Sequence, residues 1–233
     1  MLHAEYQGIK EIYSTNTMRV PQPICVGTAD HDAYAVFEKV SMGGYGDPKR
    51  FATQLAAMHA CTSANNMFGW KINNTCGATA QPNTYTETWA EFWDTHRLGH
   101  MLSLAKRDGA SFPKEAQLRE KVRNILSQHE CVPSLVHGDL WSGNQAYTKE
   151  GAPLIFDPAV YYGDREVDIA MTQLFGSNSQ AFYEAYDEAF PRPPGHQLRK
   201  TVYNLYHVLN HYVLFGGGYL GQANSMIEQI IKS

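Results

Sequence analysis

The sequence predicts an α+β protein built from two unequal modules, a small helix-plus-hairpin front (residues 1–40) and a larger, mainly helical body (residues 41–233). Three observations predict this. At the start, apolar residues recur every three or four positions and then give way to two short β-type runs around a turn. The glycine-rich stretch Ser41–Asp47 then marks a change of composition and reads as a linker. Beyond it, helical periodicity dominates, interrupted by one compact unit of short apolar runs between Ser134 and Asp157. A functional site at the seam of two such modules is the natural expectation.

The elements follow in order. Leu2, Tyr6, Ile9, Ile12 and Tyr13 share a helical face, and Ser14-Thr15-Asn16 ends that helix. Val20-Pro21-Gln22-Pro23 has to be extended, because proline fixes its own φ and disfavours helix in the residue before it. Ile24–Thr28 and Ala33–Val40 read as strands joined by the turn Asp30-His31-Asp32. Phe51, Leu55, Met58 and His59 predict a helix, and Asn65–Thr84 reads as irregular. Amphipathic helices are expected from about Thr86 and over Lys114–Gln128. Further helices are expected from Asp164 through Phe190, over Gln197–Phe215, and from Ala223 onward. The periodic apolar residues Leu55, Trp89, Phe92, Leu126, Ile155, Phe156, Leu174, Phe182, Leu205 and Phe215 form the expected core of the body.

Composition narrows the function. The formal charge of −4 and the lack of a basic stripe argue against a nucleic-acid partner. No apolar run is long enough for a membrane span, and the start lacks a secretory pattern, so a cytoplasmic location is expected. Cys25, Cys61, Cys76 and Cys131 are widely separated and include no CxxC pair, which argues against both a disulfide framework and a zinc site.

The chemistry concentrates in His137-Gly138-Asp139-Leu140-Trp141-Ser142-Gly143-Asn144 and in Leu154-Ile155-Phe156-Asp157. Phosphoryl transfer needs a carboxylate to orient and deprotonate a hydroxyl, together with oxygen ligands for magnesium. Asn144 follows Asp139 at the five-residue interval of a kinase catalytic loop, and Asp157 follows a short apolar strand where kinases place a metal-binding Asp. These positions nominate Asp139 as the base and Asn144 and Asp157 as magnesium ligands. His137 is expected to pack behind the loop rather than to react.

The segments HGDLWSGN, PLIFDPAVYYGDREVDIAMTQLFG, LYHVLNHYVLFGGGY and FGWKINNTCGATAQPNTYTETWAEFW resemble the fructosamine/ketosamine-kinase family (the protein-ribulosamine 3-kinase type). The resemblance extends over the whole chain. It implies a protein-kinase-like fold of the aminoglycoside-phosphotransferase type, and ATP- and magnesium-dependent phosphorylation of the 3-hydroxyl of ketosamines. The implied substrate is a glycated protein or a small glycated amine, and the implied role is deglycation. Trp141 would wall the sugar pocket, with core packing as the other reading of that residue. Asp168 would anchor the catalytic loop, and Asp164 would cap the following helix. Glu38 and Val40 would fall on the hinge that meets adenine, and Glu5 would align with the acid that pairs with a strand lysine.

That lysine and a glycine-rich phosphate loop are not found ahead of Glu5, since Lys10 and Lys39 both follow it. The front therefore reads as the remnant of an incomplete N-terminal lobe, expected to hold ATP weakly, to turn over little and to be the least stable part. A catalytically silent pseudokinase or binding module is the second reading. A kinase for choline, an antibiotic or another amino-sugar is the third.

Overall fold

The computed structural model describes residues 1–233. It opens with helix α1 (Leu2–Ser14), which buries Ala4, Gly8, Ile9 and Ile12 on one face. Asn16, with φ at 54°, turns the chain out of the helix. Strands β1 (Pro23–Ala29) and β2 (Asp32–Phe37) form the expected antiparallel hairpin, with Asp30 in the left-handed region at its tip. The second strand stops at Phe37, not Val40. Glu38 leaves the ladder after one last bond from its N–H to the Gln22 carbonyl, and its side chain pairs with Arg19 at 2.7 Å.

The front is not a separate body. Ile9, Ile12, Met18 and Val20 belong to the same continuous core cluster as the residues of the larger module. The Ile155 N–H also donates to the Arg19 carbonyl. The hairpin itself stands out, with Ile24, Tyr34 and Val36 exposed.

Helix α2 (Pro48–His59) begins where Asp47 accepts the Lys49 N–H and Pro48 occupies the first turn, a favourable start because that N–H would have no helical partner. The stretch expected to be irregular contains a second hairpin, β3 (Asn74–Cys76) with β4 (Thr79–Gln81). Buried amides hold it instead of an apolar face. Asn74 donates to the Val160 carbonyl, and both Gln81 and Asn83 donate to the Asn74 side-chain oxygen.

Helix α3 (Trp89–Phe92) runs through a wide π-type segment, Trp93–Leu98, into α4 (Gly99–Arg107). Within that segment Arg97 is fully buried, with its guanidinium 4.0 Å from the Tyr161 ring centre and 4.6 Å from that of Phe92. Its hydrogen bonds to the Pro82 carbonyl and the Asn83 side chain satisfy the charge that burial would otherwise strand. Helix α5 (Glu115–Ser127) follows as expected.

The compact unit consists of four short strands in two antiparallel pairs. β5 (Ser134–Val136) pairs with β8 (Tyr161–Gly163), and β6 (Gln145–Tyr147) pairs with β7 (Pro153–Ile155). The expected helix over 164–190 is two helices, α6 (Glu166–Met171) and α7 (Gln180–Ala189). The break contains Gly176 at φ 130°, and Ser179 caps the second helix by accepting the Phe182 N–H.

Helix α8 (His196–Phe215) crosses the body, burying the run Val202–Asn210, and α9 (Tyr219–Lys232) closes the chain, starting four residues before the expected Ala223. Of the expected core, Leu55, Trp89, Phe92, Leu126, Ile155, Phe182 and Leu205 are buried, while Phe156 and Leu174 are only partly so. Phe215 is 69 % exposed, because the glycines that follow it release the helix end from the body. No helix is long and apolar enough to cross a membrane.

Candidate active site

The loop after β5 carries the nominated base, and Asp168 on α6 fixes its backbone. The two oxygens of Asp168 accept the N–H groups of His137 and Gly138 at 2.7 and 2.9 Å, and one also accepts His59 Nε2 at 3.0 Å. Burial works against this charge. The His59 bond, the nearby histidines and the backbone donors outweigh it and hold the Asp168 carboxyl below its ordinary range. Asp168 is thus the anchor that the sequence suggested.

Gly138 is required at its position. Its φ is +80°, and a Cβ there would stand 2.2 Å from the Ala159 carbonyl oxygen. His137 is structural, as expected. Its Nε2 donates to the Phe156 carbonyl at 3.0 Å while its Nδ1 accepts the Asp139 N–H at 3.2 Å, an arrangement that suits the neutral ring. Burial lowers its pKa in the same direction. Asp164 Oδ1 accepts the Glu166 N–H at the start of α6, but the cap position itself is taken by Arg165, one residue later than expected.

Asn144 ties the main chains of Asp139 and Asp157 together. Asn144 Nδ2 donates to the main-chain oxygens of Asp139 (2.9 Å) and Asp157 (3.4 Å), and its Oδ1 takes no hydrogen bond within the chain. Asp157 sits in the left-handed region, with φ at 56°, a conformation that a non-glycine residue adopts at a cost. Asp139 and Asp157 line a cavity of about 240 Å³ together with Glu5, Asn74, Thr75 and Gly77.

The cavity's electrostatics are those of crowded acids. Burial, then Asp157 and Asp168, push the Asp139 carboxyl up to about 7. Burial and Asp157 likewise raise Glu5. An oxygen-rich pocket whose carboxylates repel one another suits a hard divalent cation such as magnesium. Of the two nominated ligands, the Asp157 carboxylate lines this pocket, while Asn144 is not among its lining residues and is tied to it only through the Asp139 and Asp157 main chains. Trp141 is 39 % exposed, so it is not a core residue. Its ring lies over Gly143, where a Cβ would come within 2.2 Å of it.

Glu38 and Val40 lie outside this cavity. The Val40 N–H makes no hydrogen bond within the chain, which leaves it available as a hinge donor.

Sequence reasoning missed four contributors. Asn74 and Thr75 reach the cavity on the unanticipated hairpin. His207 on α8 places its buried, unpartnered Nδ1 3.7 Å from Asp139 Oδ1. Burial, then the neighbouring His211, lowers this ring to about 3, so it is neutral. Cys76 is the third member of that cluster. The repeat of His207 and His211 one helical turn apart was the available signal.

The fructosamine kinase profile matches residues 1–233. The chain belongs to the fructosamine kinase family. It is 47 % identical over 234 aligned residues to a Synechocystis sp. protein named probable ketoamine kinase, covering all of this chain and 79 % of that protein. It is 38 % identical to the chloroplastic protein-ribulosamine 3-kinase of Oryza sativa, covering all of this chain and 69 % of that one. A solved structure assigned as a fructosamine-3-kinase of Haemophilus somnus superposes with a TM-score of 0.92 at 29 % identity, over 99 % of this chain and 79 % of that one. An aminoglycoside phosphotransferase, APH(4)-Ia, superposes at 0.60 with 15 % identity and shares the fold. This family member is therefore a kinase with a protein-kinase-like α+β fold.

Proposed function

We propose that this kinase phosphorylates the 3-hydroxyl of ketosamines, on glycated proteins or small amines, using ATP and magnesium, and so serves deglycation. The single observation that carries the reading is the meeting of Asp139 and Asp157 in one cavity, their main chains joined by Asn144, on a loop backbone locked by Asp168. The ribulosamine and ketoamine kinases to which the chain is similar supply the substrate class.

Asp139 would orient the acceptor hydroxyl and take its proton as that oxygen bonds to the γ-phosphorus and the phosphorus–oxygen bond to departing ADP breaks. A carboxylate raised to about 7 is a better base than an ordinary one at neutral pH, provided it is ionised. Bound magnesium supplies charge neutralisation for the phosphates and the neighbouring acids. Asn144, with its amide nitrogen tied to two main-chain oxygens, keeps its free oxygen in one orientation. Trp141, exposed beside the base, offers a flat face to the apolar side of a sugar. Val40, through its free N–H, and the adjacent Glu38 are the proposed adenine contacts, with Glu5 at the edge of the phosphate region.

The test is the initial rate of phosphate transfer to a ribulosyl-lysine, compared between the wild type and Asp139→Asn. A drop of about 10²-fold or more is expected for loss of a positioned base. Undiminished transfer by the variant refutes the assignment.

A further inference from the structure

A second group of ligating side chains lies away from the active-site cavity. The loop between α5 and β5 carries His129 and Cys131, and Asp164 stands opposite at the start of α6. Their ligand atoms all lie within 4.8 Å of one another. His129 Nε2 is 2.9 Å from Asp164 Oδ2. The Cys131 sulfur makes no hydrogen bond and bonds to no other cysteine.

All three residues line a cavity of about 330 Å³, larger than the one at Asp139. Ser134, 1 % exposed, lines the same cavity, and its Oγ has no hydrogen-bond partner. A buried hydroxyl without a partner is uncommon and points to a missing polar neighbour. The surrounding cations are already committed. Arg199 makes a two-pronged pair with Glu166 at 2.8 Å, and Arg165 donates to the Phe190 and Pro191 carbonyls.

We propose that His129, Cys131 and Asp164 bind a zinc ion, with the fourth position open to a water that Ser134 Oγ contacts.

The donor set supports this ion over magnesium. A thiolate and an imidazole suit a borderline-soft cation, whereas magnesium takes oxygen almost exclusively. Three protein ligands with one open position is a common zinc arrangement. Two ligands from one short loop and a third from a distant element is also how zinc ties segments together. The cysteine spacing concealed the site, because only one of its ligands is a cysteine and the third lies more than thirty residues away. Binding replaces the His129–Asp164 hydrogen bond with bonds to the metal: the ring takes the tautomer with its hydrogen on Nδ1, which frees Nε2, and the Cys131 thiol proton passes to solvent.

The consequence is a clip. Ser134 opens the strand that leads into the catalytic loop, and Asp164 lies one helical turn before Asp168, which anchors that loop. An ion here would hold the loop's two supports together without touching substrate. The inference does not depend on the proposed substrate.

The test is a titration of the full chain with Co2+ as a spectroscopic stand-in, and with Zn2+ against a chromophoric chelator, in excess Mg2+ so that the oxygen-lined cavity is saturated. One equivalent should bind with a sulfur-to-cobalt charge-transfer band and release about one proton. Cys131→Ser should abolish the band. His129→Gln should weaken affinity by at least tenfold, since losing even a supporting partner of a ligand costs about 10- to 100-fold. Cys61→Ser should change nothing. Circular dichroism confirms that each variant is folded. No thiolate band at stoichiometric Co2+ overturns the proposal. So does a band that survives in folded Cys131→Ser, which would place the ion elsewhere, such as at Cys76 and His207. If Cys131→Ser does not fold, unchanged affinity in His129→Gln overturns it.

Discussion

Replacing the base should make the protein more stable while stopping its chemistry. Asp139 is raised from 3.8 to about 7, mainly by burial and secondarily by Asp157 and Asp168. The folded state therefore holds this proton up to about pH 7, whereas the unfolded chain releases it near pH 4. The native state carries no penalty below the unfolded value, an increasing one between the two, and the full one above pH 7. At about 1.36 kcal/mol per pH unit, the ceiling is about 4 kcal/mol. The side chain is 18 % exposed, and solvent and relaxation reduce the figure. We expect Asp139→Asn to gain about 1–3 kcal/mol at pH 8, or roughly 3–10 °C in Tm for a chain of this size. The gain should shrink steadily toward pH 5. The assay is urea and thermal unfolding in EDTA across that range. Magnesium should narrow the gap, because a bound cation relieves the same repulsion in the wild type. A variant less stable than wild type at pH 8, or a difference that does not change with pH, would show that Asp139 is not a strained carboxylate.

Other outcomes follow from the same contacts. Asp168→Ala strands His59 and two buried N–H groups, so it should cost about 3–5 kcal/mol in urea unfolding and abolish turnover. Gly138→Ala should destabilise by more than about 1 kcal/mol, read as a fall in Tm, because its φ and the Ala159 carbonyl both exclude a Cβ. Trp141→Ala should raise KM for the sugar with a Tm change of only a few degrees, since the ring is half-exposed; an unchanged KM would remove it from the sugar pocket. The wild-type rate should rise with pH through an apparent pKa at or below about 7, as Asp139 loses its proton and bound magnesium lowers its value. A rate that falls over that range would point to a different group.

The catalytic loop was legible because chemistry constrains it locally. Asn144 must keep its spacing from Asp139 and from the strand before Asp157 to bond to the main chains of both. Helices with a clean apolar stripe, such as α2, α5 and α8, were legible for the same local reason. The β3–β4 hairpin was not, because its stability comes from amides whose partners, including Val160 and Tyr206, are remote in sequence. No alternating apolar pattern marks it. The break between α6 and α7 did carry a signal in Gly176-Ser177-Asn178-Ser179, which the apolar periodicity on either side obscured. Phe215 shows the opposite limit, since periodicity places it on a buried face but not how far the face extends. His207 lay in a quoted motif without a role. Only the fold brings its Nδ1 to 3.7 Å from Asp139 Oδ1.

The most direct measurement is the proton-coupled phosphorus NMR spectrum of the product formed from ATP, magnesium and a ribulosyl-lysine. A phosphate on the 3-hydroxyl is attached to a carbon bearing a single hydrogen, so the account predicts a new phosphomonoester doublet that is lost with Asp139→Asn. A triplet, which would place the phosphate on a primary hydroxyl, or a doublet that persists undiminished in the variant, would contradict it.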